Sequence, residues 1–213
     1  MDEARLVGRA AGLRRVALLG LKGKEPPTGG SPAERAAWAS AMVDGAGQRR
    51  PAERWMLARL GGIPLPIANT ASSPDVRAWA AIQTPELWSD PDEAGPYAPE
   101  LRSESIETWT ECELCILHAR AWADRAAGGL GHRVIGAAEW LVRELQPDNA
   151  TTRPWGIQAF AWLAEERGDA EADHYAQTLV HNTLVAGAGT PEPMSACILL
   201  DAAECLESLA GYR

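Results

Sequence analysis

Three observations in this 213-residue chain predict an all-α fold of consecutive antiparallel helical hairpins. Apolar residues recur at helical spacing through most of the chain, and the only strand-like run, 63–67, is spoiled by Pro64 and Pro66. Four tryptophans, Trp38, Trp79, Trp122 and Trp162, recur at intervals of 41, 43 and 40 residues inside similar Ala-rich phrases. A period of about 40 residues is the length of two helices and two turns. Gly, Pro and Ser/Thr also fall where helices of that length start and stop.

The spacing of Leu6, Ala10, Leu13 and Ala17 predicts a helix over 3–20, followed by a linker over 22–31 rich in Gly, Pro and Lys. Ser31-Pro32-Ala33-Glu34 opens the next helix: Ser caps it, Pro suits the first position, and Glu closes a capping box. Pro51-Ala52-Glu53 echoes that start, with Gly61-Gly62 as the stop, and Ser73-Pro74-Asp75 opens a short helix through Trp79. Pro85, Pro91, Pro96 and Pro99 break residues 83–103, and a loop of that length serves as a lid, an arm or a domain connection. The expected organisation is an N-terminal helical part (1–82), a Pro/acid-rich connector (83–103) and a C-terminal helical-hairpin domain (104–213). Helices are expected at 104–127, 131–146, 153–166, 170–186 and 191–210, and short turns between them imply antiparallel neighbours. Trp38 and Trp79 lie seven and six residues past a Ser-Pro start, while Trp122 and Trp162 lie deeper in their helices. The ladder is therefore a packing device shared by two helical halves, and it speaks of fold rather than activity.

Charge is unevenly spread over a net of −9. Residues 1–60 carry 11 Lys/Arg against 6 Asp/Glu, whereas residues 61–213 carry 9 against 23. The acidic remainder repels a phosphate backbone, and no nucleic-acid motif accompanies the arginines, so no nucleic-acid partner is expected. The basic N-terminal segment is expected to dock on the acidic body, within the chain or on another copy as a homodimer contact. No apolar run is long enough for a membrane span, and Val16–Leu21 is too short for a signal-peptide core. With four Cys in no disulfide framework, the chain reads as cytoplasmic with reduced thiols. Nine Trp against one Phe read first as large knobs between Ala-rich helices, and second as an aromatic binding surface.

Three constellations carry chemistry. Cys112 and Cys115 with His118 have a thiolate–imidazole zinc spacing, but they lie mid-helix without the strand and helix N-terminus of a redox site. Buried small cysteines are the default, and neither metal nor cofactor is expected. Glu107, Glu111, Cys115, His118 and Trp122 share one helix side, where a carboxylate near a His suits acid–base chemistry; a plain helix flank is the alternative. The polar turn Gln146-Pro147-Asp148-Asn149, followed by Thr151-Thr152-Arg153-Pro154-Trp155, lies about one helix before His181-Asn182. Turn and capping roles explain it, and a ligand groove between these segments is the other reading. The candidate acid–base residues are thus Glu111, His118 and His181. The candidate ligand-binding residues are Trp122, Asp148, Asn149, Arg153, Trp155 and Asn182.

The run Ala138-Glu139-Trp140-Leu141-Val142-Arg143-Glu144-Leu145-Gln146-Pro147-Asp148-Asn149 resembles the outer-helix ending of α/α-toroid proteins, the superfamily of terpenoid cyclases and protein prenyltransferases. The resemblance spans 104–210 and implies a partial α/α-toroid-like or irregular helical bundle. Asn149 stands where that pattern has Gly. The Asp-rich motif of the cyclases and the Asp-x-Cys zinc pattern of the prenyltransferases are absent, so the resemblance implies architecture and not those activities. The leading functional expectation is a non-catalytic interaction or ligand-binding module that takes a protein partner or small molecule into an acidic, Trp-rich groove. The competing one is an enzyme whose groove is built from Glu111, His118, Arg153 and His181.

Overall fold

A computed structural model describes residues 3–27, 29–65, 68–69, 72–90, 94–125, 129–145 and 151–211. Among them are nine α-helices and no strand. These are α1 (Glu3–Leu21), α2 (Pro32–Ala41), α3 (Pro51–Leu60), α4 (Pro74–Ala80), α5 (Ile106–Asp124), α6 (His132–Glu144), α7 (Ile157–Arg167), α8 (Ala170–Ala186) and α9 (Pro193–Gly211). The protein is all-α, as its periodicity predicts.

Local chemistry explains most helix ends. At α2 the Glu34 N–H donates to Ser31 Oγ (3.3 Å), and the Ser31 N–H donates to Glu34 Oε2 (2.7 Å), completing the capping box. Asp169 caps α8 by accepting from the N–H groups of Glu171 and Ala172. One start departs from expectation: α7 begins at Ile157 rather than at 153. Gly156 sits at φ +74°, a left-handed turn that a side chain disfavours, and a Cβ there would also crowd Leu117 and the Leu114 carbonyl. Residues 151–156 are thereby a turn laid against α5.

From α3 to α8, each helix packs on the next. Alternate helices touch as well: α5, α7 and α9 meet one another on the inside, while α6 and α8 meet on the outside. The last hairpin departs from this scheme. After the turn at Gly187–Thr190, where Ala188 and Gly189 adopt positive φ, α9 packs mainly against α1 rather than α8. The α1–α9 contact is the most extensive in the molecule. Leu6, Ala10, Ala17 and Leu21 form the buried face of α1, and at Gly20 a Cβ would collide with the Pro191 carbonyl and the Ala196 side chain. Apolar side chains of α1–α4 and α5–α9 belong to one continuous core. Seven of the nine tryptophans are buried in it, and Trp88 and Trp140 pack against its edge. The Trp residues are therefore knobs between helices, each ladder member with its own surroundings. The Trp38 Nε1–H donates to the Lys24 carbonyl (2.7 Å) and that of Trp79 to Cys115 Sγ (3.4 Å), while Trp122 reaches Asp201.

The later part of the Pro-rich segment is a strap over α5 and α6. The buried Glu113 carboxylate accepts the N–H groups of Tyr97 and Ala98 (2.7 Å each) and the Trp109 indole N–H (3.1 Å). Arg133 donates to the carbonyls of Gly95 and Pro96 and lies 4.0 Å from the Tyr97 ring centroid. Buried backbone groups without regular structure need such partners.

Candidate functional site

Two charge clusters and a surface groove along α1 stand out among the described residues. The first cluster centres on Asp201, the lone charge within the apolar stretch 194–203 of α9, and it is fully buried. Arg59 of α3 donates to Asp201 Oδ1 through Nε (2.7 Å) and Nη2, and reaches Glu204 through Nη2 (3.2 Å). From α5, His118 Nε2 lies 2.8 Å from Asp201 Oδ2, and the Trp122 indole N–H donates to the same oxygen. The Gly156 N–H donates to His118 Nδ1 (3.2 Å), so Nδ1 is the acceptor nitrogen and Nε2 carries the proton given to Asp201. Both ring nitrogens are thus engaged, and the ring is enclosed by Trp79 and Trp155 at centroid distances of 5.6 and 5.1 Å. Burial is the main influence that holds the His118 imidazole below its ordinary range, outweighing its bond to Asp201. For Asp201, burial pulls upward, but Arg59 and His118 together keep the carboxylate below its ordinary range. Arg59 and Arg125 both stack on Trp122, at 3.8 and 4.5 Å from the ring centroid.

The second cluster centres on Arg153. Its guanidinium pairs with Asp44 (2.8 Å) and with the fully buried Glu53, and lies 3.5 Å from Glu111 Oε1. Arg50 holds the other Glu111 oxygen at 2.8 Å and gives its backbone N–H to Glu53 (2.6 Å). Three carboxylates against two guanidiniums leave one negative charge in excess. Burial raises both Glu53 and Glu111 above the usual carboxylate range, with the arginines opposing it.

The placement of the sequence candidates follows directly. Glu111 and Arg153 meet in the second cluster. His118 and Trp122 meet in the first, with Trp155 against the His118 ring. His181 is exposed on α8 and joins neither cluster, and Asn182 is half-buried beside it. Asp148 and Asn149 lie outside the described residues. Cys112 and Cys115 are buried free thiols pushed above the ordinary thiol range by burial, and no group of three His, Cys, Asp or Glu side chains suited to a metal occurs among the described residues. Among those residues no helix is long and apolar enough to cross a membrane. Sequence reasoning missed Asp201, Arg59, Glu53 and Asp44 as cluster members. A signal existed for Asp201, since a single carboxylate amid an apolar helical run requires a partner.

The groove, of about 590 Å³, runs along α1 and is lined by Gly8, Gly12, Leu13, Val16, Leu19 and Val180, with Arg5, Arg9, Arg15 and Glu165 at its polar positions. Packing explains it. α7 contacts both α1 and α8, while α1 and α8 have no extensive contact with each other, so a valley floored by α7 opens between them. Arg9 spans its head by pairing with Glu165 of α7 (2.7 Å) and Asp173 of α8 (2.5 Å). With Arg14–Glu207 and Arg59–Asp201, this pair docks basic side chains of the first 60 residues on the acidic body of the same chain.

No protein-family model matches this chain, and comparison with curated proteins and with solved structures finds no match.

Proposed function

We propose that this protein is a non-catalytic helical interaction module that receives a partner protein in the groove between α1 and α8. The observation carrying the reading is the contrast between a groove of partly exposed apolar side chains and an Asp201 cluster whose main polar atoms are hydrogen-bonded to each other. Leu19 lines the groove at 50% exposure, and Leu13, Val16 and Val180 line it while partly exposed. Exposed apolar surface gathered along a concavity is the mark of an association site. His118, by contrast, has no ring nitrogen left for proton transfer, and an acid–base catalyst needs one within reach of substrate.

Photo-crosslinking tests the reading. A photoreactive residue replaces Gly12 in the full chain, and a second preparation carries it at Val185 on exposed α8 surface. The expected result, in the native cell extract, is a discrete protein adduct from position 12 that is absent from position 185 and lost on adding excess unmodified protein. Identical adduct patterns from the two positions would remove the groove as the site.

A further inference from the structure

We draw no further inference here: the strongest candidate, the pocket of about 410 Å³ between α1, the end of α3 and α9, has two of its three arginines, Arg14 and Arg59, already paired with Glu207, Asp201 and Glu204, and nothing in the structure shows what Arg35 would bind.

Discussion

The Asp201 cluster and the α1 groove solve opposite problems. Around Asp201, polar groups from α3, α5 and α9 and the turn before α7 are buried, and each main donor or acceptor finds a partner inside the chain. Along α1, Leu19 and two glycines face outward, and Leu13 and Val16 are only partly covered by the core. A buried charge is tolerable only when it is paired and hydrogen-bonded, so the first region is constrained to one arrangement. A partly exposed apolar valley carries no such constraint. Titratable residues that attract attention in a sequence can therefore serve the scaffold.

The sharpest way to break this comparison is to open the Asp201 cluster. Asp201→Asn leaves Arg59 without its main counter-charge in a buried site, and should destabilise the protein by about 3–5 kcal/mol in urea denaturation. A loss below about 1 kcal/mol would mean that α9 is held by its apolar contacts alone. Arg153→Met should cost about 3 kcal/mol, because Glu53 stays buried with its ion pair removed.

Acid tests the same region more gently. The native state disfavours protonating His118, so the unfolded chain takes up a proton near pH 6.5 that the native state refuses. Stability from this residue is complete above that pH and falls as pH drops below it, by at most about 1.4 kcal/mol per pH unit. Asp201, also held low, has the same sign below about pH 4. Glu53, Glu111 and Glu113 are raised by burial and act in the other direction, losing stability as pH rises through their native values. The difference between the pH profiles of wild type and His118→Asn isolates the histidine. A variant that keeps the full wild-type slope between pH 5 and 6.5 would show that the imidazole is not the responsible group.

The smallest expected effect has the opposite sign. Gly8→Ala and Gly12→Ala should each stabilise by about 0.5–1 kcal/mol, since the helix gains a better former and nothing is displaced. Destabilisation by either would place an internal neighbour where the groove is now open.

Features that depend on neighbouring residues were the most legible in the sequence. The Ser31 capping box, the Pro51 and Pro74 starts and the Gly168 stop could be read directly, because capping is settled within four residues. Pairings between distant helices could not. His118 stood out as a candidate, but its partner came from Asp201, 83 positions later, rather than from Glu111 on its own helix. Trp155 was expected near a ligand, and it covers the His118 ring because Gly156 turns the chain onto α5. The groove depends on α1 and α8 flanking α7, which no local spacing encodes. Gly8 and Gly12 within a helical pattern were its one visible trace.

The pairing of α1 with α9 has a consequence in time. At about 5–20 residues per second, α9 leaves the ribosome roughly 10–40 s after α1. Through that interval Leu6, Ala10, Ala17 and Leu21 lack the helix they finally pack on, although α2 to α8 can already assemble their successive contacts. Capture of α1 by α9 thus comes after the helices between them have been made. Pulse-labelling of ribosome-held chains should find α1 amides gaining protection only once residues 193–211 have emerged.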